Sequence, residues 1–469
     1  MQALLKPALA YVDDWLQYQM RWRAQPGCAV AVAYQGRVVF EQAYGFANLI
    51  ERENLTPRHR FHAASHSKSF TAAGILKLRE AGKLRLDDPV GRHVAGLPPA
   101  VAPVTLSQIL SHSAGLARDG ADAGYFQGRK PFPNETELRA ALANSSVIDA
   151  STRFKYSNSG FGLLGLVIQN AAGEPFGDWI RREIIAASKL EETEPDGPVS
   201  ESIPVAQGHS AVWPLGQRVV IPGNIATGAL APAAGVLSTA ADLARFFGSL
   251  DPRAKFSVLS PASRREMVRI QWRIPNYSVE MHSGFGLLSA KVGNGECIGH
   301  IGGLQGCVSS TGFLPGHDLC VSVLTNAVDG FAVPWTSGVV HILHEFARRG
   351  VPAAPQPDWS GRWWSVWGAI DLIAMRDHVV VTKPDFFNPF TDTREIAVAS
   401  SDQGRIRHAN GFDDYGETAR LVRGSNGQVE EVWLGGIRHV PERQAKDEIK
   451  RQYGNRQATN TIPRIAMNP

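Results

Sequence analysis

An antiparallel α/β sandwich carrying a helix-rich lobe, followed by a small C-terminal β domain, is the fold class this chain predicts, and three observations predict it. Strand-like runs come from both ends of residues 1–350 and flank a helix-rich middle. A proline-rich stretch, Val351-Pro352-Ala353-Ala354-Pro355-Gln356-Pro357, then interrupts the chain as a semi-rigid linker. Beyond it, short strand candidates alternate with turn dipeptides as far as Pro441.

The elements follow in order. Leu5, Leu9, Val12, Leu16 and Met20 recur at helical spacing, and Pro7 is tolerated near a helix start. Residues 28–34 and 38–44 read as strands joined by a hairpin at Gln35-Gly36. Phe70, Ile75, Leu76 and Leu78 form an apolar stripe that stops at Gly82, so Ser65 opens a helix. The middle, 61–290, holds the helical lobe. Within it, residues 151–155 read as extended, and Gly160, Gly162 and Gly165 as a turn into a helical run over 163–171. Strands are predicted near 296–301, 307–313 and 319–325, and a closing helix over 334–349 with Pro334 at its first position.

The expected organisation is a first domain over 1–350, a linker over 351–358, a β domain over 359–442 and a polar, loosely ordered tail over 443–469. Trp359, Trp363, Trp364 and Trp367 cluster at the start of the β domain, and turn signals fall at Arg376-Asp377, Asn410-Gly411 and Asn426-Gly427. That pattern reads as a small barrel or half-barrel, with the tryptophans in its core.

Composition fits an enzyme with a large core. The chain has 469 residues, 43% of them hydrophobic, and a net charge of +4 with no long basic run, so nucleic acid is not an expected partner. Cys28, Cys297, Cys307 and Cys320 form no Cys-x-x-Cys pair and read as buried apolar residues. His-Glu-x-x-His, Walker and Rossmann patterns are absent from the sequence, so neither metal nor organic cofactor is expected. Asp13 and Asp14 interrupt the first apolar run early and no stretch approaches a membrane span, so a cytoplasmic protein without membrane contact is expected.

The chemistry concentrates in three motifs. Ser65-His66-Ser67-Lys68 is the sole Ser-x-x-Lys in the chain, and on a helix its serine and lysine share one face near the positive end of the dipole. A lysine there can act as base only when neutral, which requires desolvation or neighbouring donors. An N-capping serine one turn from a surface lysine would read the same in isolation. Tyr156-Ser157-Asn158 and His300-Ile301-Gly302-Gly303 change the balance. Each has a rival, Tyr453-Gly454-Asn455 and His282-Ser283-Gly284, but the first rival lies in the polar tail and the second lacks successive glycines for a close backbone approach.

With these motifs in order, the chain resembles the serine β-lactamase and penicillin-binding-protein superfamily, nearest its class C-like esterase and D-aminopeptidase branch. The resemblance extends to the segment from Phe61 to Ala73, to Gly82-Lys83-Leu84-Arg85-Leu86-Asp87-Asp88-Pro89-Val90, to Ile109-Leu110-Ser111-His112-Ser113-Ala114-Gly115-Leu116 and to Gly235-Val236-Leu237-Ser238-Thr239-Ala240-Ala241-Asp242-Leu243-Ala244. It covers roughly residues 20 to 350. It implies a β-lactamase-like antiparallel sheet flanked by helices, with the active site between sheet and lobe. It also implies roles. Ser65 would be acylated, and Lys68 and Tyr156 would share the proton work, with a neutral or anionic Tyr156 taking the serine proton and returning it to the leaving group. Because a free tyrosine has a pKa near ~10, the reading needs help from Lys68 charge. The backbone N–H groups of Ser65 and Gly303 would form an oxyanion hole, and Asn158 would hold Lys68 and a substrate amide.

One departure bears on substrate. Where penicillin-recognising members carry Lys-Thr-Gly or Lys-Ser-Gly, this chain has His300-Ile301-Gly302. A histidine of pKa ~6.5 is mostly neutral at pH 7 and gives a substrate carboxylate no fixed cation. The expected activity is therefore hydrolysis of an ester or amide in a small molecule or short peptide. An acyltransferase on the same acyl-enzyme, or a weak β-lactamase or DD-peptidase-like protein, is the alternative.

Overall fold

The computed structural model describes residues 2–293, 295–353 and 356–454. The chain divides into two compact units, one spanning Arg23–Ser337 and the other combining the residues up to Trp22 with those from Gly338 onward.

The unit Arg23–Ser337 is built on a wholly antiparallel sheet, nine-stranded among the described residues. From one edge its order is Glu53–Asn54, Arg37–Asn48, Gly27–Tyr34, Leu319–Thr325, Cys307–Leu314, Gly295–Leu304, Leu288–Val292, Met281–Ser283 and Trp272–Arg273. The hairpin at Gln35-Gly36 forms as expected, with both residues at positive φ, 52° and 74°, as a tight strand-matched turn requires. The N-terminal strand pairs across the sequence, Cys28 opposite Thr325 and Tyr34 opposite Leu319. One apolar core joins the sheet face (Ala29, Ala31, Phe313, Leu324) to three helices, Ser67–Glu80, Asn158–Ala172 and Ala240–Ser249. Phe70 and Phe246 stack at 3.9 Å between centroids where two of these helices meet.

Two local expectations change. The glycines after Asn158 are not a turn: Ser157 caps a helix that starts at Asn158, its hydroxyl accepting from Gly160 N at 2.9 Å. Those glycines are packing positions, where a methyl on Gly165 would run into Pro232 and one on Gly162 would crowd Leu138 and the Ala229 carbonyl. Likewise the strand expected near 296–301 does not end there but runs on to Leu304, and the reversal falls at Gln305-Gly306.

The second unit contains an eight-stranded antiparallel meander, Gly361–Ser365 through Ile437–His439 in sequence order. Trp364 and Val440 exchange both backbone hydrogen bonds at 2.8 Å, which links its first strand to the chain just beyond its last and closes the barrel. Trp359 and Trp363 lie in its core with Ile396, Val432 and Leu434, whereas Trp367 is exposed. The expected first domain includes the N-terminal helix, Gln2–Trp22, and the whole closing helix, Ala332–Arg349; here the former and the latter's C-terminal part group with the barrel. The Tyr11 hydroxyl lies 2.8 Å from Thr382 Oγ1 and donates to Asp371, and the Trp15 indole occupies the space that the missing side chain of Gly338 leaves. Part of the expected linker, residues 354 and 355, lies outside the described residues.

The loosely ordered tail is corrected over its first part: Glu442–Tyr453 is a helix. Its sequence is rich in strong helix formers (Glu, Arg, Gln, Ala, Lys), Ala445 is buried, and Glu448 pairs with Arg438 at 2.9 Å and accepts from Gln444 at 3.0 Å. Residues 455–469 lie outside the described residues. Among the described residues no helix is long and apolar enough to cross a membrane.

Candidate active site

The segment that carries Ser65 is shaped by backbone strain. Ala64 adopts φ +51°, a conformation uncommon for a residue with a Cβ, and starts a short 3-10 turn over Ala64–His66 that leads into the helix Ser67–Glu80. Neighbouring groups hold it. Ala63 N donates to Val236 O at 2.8 Å, Val236 N to Ser67 Oγ at 2.9 Å, and Ser67 Oγ to Ala64 O at 2.6 Å. The Ala63 carbonyl accepts from Ser309 Oγ at 3.0 Å and lies 2.8 Å from His66 Nδ1. Ser65 is left as the partly exposed residue in an otherwise buried run, 61–70.

Two of the predicted side chains converge on the hydroxyl oxygen of a third, Ser65. Lys68 Nζ stands 3.2 Å from Ser65 Oγ, and Tyr156 OH donates to the same atom at 2.9 Å. Lys68 is fully buried and also donates to Ala233 O at 2.7 Å. Burial pushes its pKa well below the usual lysine value; the Asp119 carboxylate opposes that and Arg118 adds to it. Burial pushes Tyr156 the other way, above the ordinary tyrosine value, against the smaller influences of the Ser65 hydrogen bond and Arg118. Burial thus favours the uncharged form of both groups, the free amine of Lys68 and the phenol of Tyr156.

Asn158 is close by but not on the lysine. Its Nδ2 donates to Asp119 Oδ1 at 2.6 Å, and the lysine's second partner is the Ala233 carbonyl. Sequence reasoning missed Arg118, Asp119 and Ala233, the last a backbone acceptor with no side-chain signature.

It also left His112 without a role, although the segment around it carried part of the resemblance. His112, at φ +58°, clamps the chain on both sides of Tyr156: its carbonyl accepts from Lys155 N at 2.6 Å and its Nδ1 from Ser157 N at 3.2 Å. Its ring stacks on the Tyr156 ring at 4.3 Å. Burial holds it well below the normal histidine pKa, so it stays neutral with the remaining proton on Nε2.

His300, Gly302 and Gly303 form the opposite wall. A methyl on Gly302 would overlap the Ala63 carbonyl and the Ser309 hydroxyl, so glycine lets this strand press against the turn that carries Ser65, while Gly303 faces open space. Pairing with the strand Leu288–Val292 ends at Gly299, which leaves the edge from His300 onward uncovered on that side. His300 is buried, with Nδ1 2.6 Å from Ile301 O and its ring 5.9 Å from that of His66. Burial depresses its pKa well below 6.5. Among the described residues no group of three or more His, Cys, Asp or Glu converges as a metal site would.

Comparisons with known proteins bear on the family and the fold. The family model described as Beta-lactamase matches residues 12–335. Penicillin-binding protein 4* of Bacillus subtilis (strain 168) is 31% identical over 168 residues, 35% of this chain and 37% of that protein; the match spans about a third of the length of such curated relatives. Among solved structures, an octameric penicillin-binding protein homologue from Pyrococcus abyssi aligns with a TM-score of 0.63 at 22% identity, covering 92% of this chain and 99% of that one. The D-amino acid amidase of Ochrobactrum anthropi SV3, complexed with D-phenylalanine, aligns at 0.59 and 22% identity over 72% of this chain and 99% of its own. Both structural likenesses are likenesses of fold.

Proposed function

The chain belongs to the Beta-lactamase family, and on that premise we propose that it is a serine hydrolase that cleaves an ester or amide of a small molecule or short peptide through an acyl-Ser65 intermediate. One observation carries the reading: Ser65 Oγ lies 3.2 Å from the fully buried Lys68 Nζ and 2.9 Å from the Tyr156 hydroxyl.

The steps follow from the charges. Neutral Lys68 accepts the Ser65 proton as Oγ attacks the substrate carbonyl. Backbone N–H groups of Ser65 and Gly303 receive the developing oxyanion. Tyr156, protonated throughout the neutral range, donates to the leaving group and is reprotonated from the Lys68 ammonium. Water repeats the sequence on the acyl-enzyme, with Lys68 again the base. Asn158, held by Asp119, offers its remaining amide capacity to the substrate.

His300 decides the lean in substrate. Buried and neutral, it supplies no cation for a carboxylate at the reactive end. Esters and amides without that carboxylate fit better than β-lactams, and the fold shared with a D-amino acid amidase favours testing amides of D-residues.

The test pairs p-nitrophenyl esters with D- and L-aminoacyl p-nitroanilides, on wild type and Ser65→Ala. Ser65-dependent anilide cleavage with D preference makes the protein an amidase or aminopeptidase. Ester cleavage alone makes it a carboxylesterase. Activity that survives in Ser65→Ala refutes the nucleophile.

A further inference from the structure

Residues 118–132 run between the wall that carries Asn158 and the strand that carries Gly303, and the ties at these two places end at or beside a site residue. At one foot, Asn158 N donates to Arg118 O at 2.8 Å and Asn158 Nδ2 to Asp119 Oδ1 at 2.6 Å. From there the Tyr125 hydroxyl donates back to Asp119 O at 2.7 Å. The Tyr125 carbonyl accepts a hydrogen bond from Gln305 Nε2, and Gln305 lies two residues past Gly303 on the opposite wall. At the other foot, Ala229 N donates to Pro133 O at 2.9 Å.

The segment is stiff between these ties. Tyr125, Phe126 and Phe132 pack on one another with centroids 5.0, 5.2 and 5.4 Å apart. Asp122 accepts from Gly124 N at 2.8 Å and pairs with Arg129 and Lys130 at 3.1 and 3.0 Å. Gly128, at φ +70°, lets the chain pass close to Gln305, where a methyl would sit 3.3 Å from Oε1.

We propose that residues 118–132 form a fixed strap over the acyl side of the cleft, and that Gln305, by tying the strap to the strand, sets the largest acyl group admitted. The inference rests on the serine-hydrolase reading. The leaving group must lie against Tyr156, which protonates it, so the part of the substrate that extends past Gly303 toward Gln305 is the acyl group. A compact acyl group fits beneath the strap; a long or branched one must displace it and break the Gln305 tie.

Gln305→Ala tests this without requiring a known substrate. The probes are methyl and octyl fluorophosphonates, whose alkyl group takes the acyl position, with labelling of Ser65 followed by intact mass. Backbone hydrogen exchange of 120–131 reports the strap itself. The expected result is faster exchange over 120–131, an unchanged rate with the methyl probe, and an octyl-to-methyl ratio raised by about tenfold, the scale on which pockets discriminate by size. Tyr125→Phe, which removes the tie to Asp119, should move both readouts in the same direction. An unchanged ratio despite faster exchange overturns the size limit, and unchanged exchange overturns the tie. Failure of both probes to label wild type overturns the Ser65 reading and this inference with it, and is told apart because the methyl probe fails before any variant is compared.

Discussion

Replacing Lys68 with methionine separates the cost of the site from its use. Methionine keeps most of the length and apolar volume of the lysine stem and removes only the amine. If Lys68 is held neutral, each unit between an ordinary lysine pKa of ~10.4 and the working pH costs the folded protein about 1.4 kcal/mol, or about 4 to 5 kcal/mol at pH 7. Against that gain the variant leaves the Ala233 carbonyl, which Lys68 now satisfies at 2.7 Å, without its donor, a loss of about 1 to 3 kcal/mol. Lys68→Met should therefore be more stable than wild type at pH 7 by about 1 to 4 kcal/mol, while turnover falls by ~100-fold or more.

The sign of the pH dependence makes this specific. The folded lysine pKa is depressed, so the unfolded chain binds the extra proton between that lowered value and ~10.4, and wild-type stability rises with pH across the window. The variant lacks this slope. Its lead should shrink by about 3 kcal/mol between pH 7 and pH 9.5, measured by urea unfolding at the two pH values. A lead that does not change with pH would mean that the lysine is not neutral in the fold. Retention of more than about a tenth of the rate would remove it from the chemistry.

Three further outcomes follow from the same geometry. His112→Asn keeps an acceptor for Ser157 N and tolerates the positive φ but loses the ring under Tyr156; kcat should fall by about tenfold or more with KM little changed, and loss of thermal stability alone would reduce His112 to packing. Gly302→Ala drives a methyl into the Ala63 carbonyl and should slow Ser65 labelling while circular dichroism stays native; wild-type labelling would show that the strand can retreat at no cost to the nucleophile. His300→Lys places a cation on that wall and should raise the acylation rate with carboxylate-bearing cephalosporins; no gain would show that this position does not set the preference.

The site was legible in the sequence where chemistry and spacing coincide. Ser65 and Lys68 lie three apart on a helix start, and that spacing alone brings their side chains together. Tyr156 and His300 carry no such local rule, and only motif order pointed to them. Glycines misled once: Gly160, Gly162 and Gly165 read as a turn, yet they sit inside a helix because neighbours approach too closely for a side chain. Asp119, Ala233 and His112 were illegible because their contacts join segments far apart in sequence. The helix Glu442–Tyr453 was missed because its polarity was read as disorder, although its Glu, Arg, Gln, Ala and Lys residues favour a helix and Glu448 pairs with Arg438.

The pairing of Cys28 with Thr325 has a consequence for how the chain is made. The strand Gly27–Tyr34 is almost wholly buried in the finished sheet, yet its partner on one side, Leu319–Thr325, leaves the ribosome nearly a whole unit later. At about 5 to 20 residues per second, Val30 and Val32 wait tens of seconds beside a bare row of amides, held by the hairpin alone. Nascent chains stalled before Leu319 should therefore be the ones that chaperones capture and proteases cut, and release should come only when the last central strand slots in.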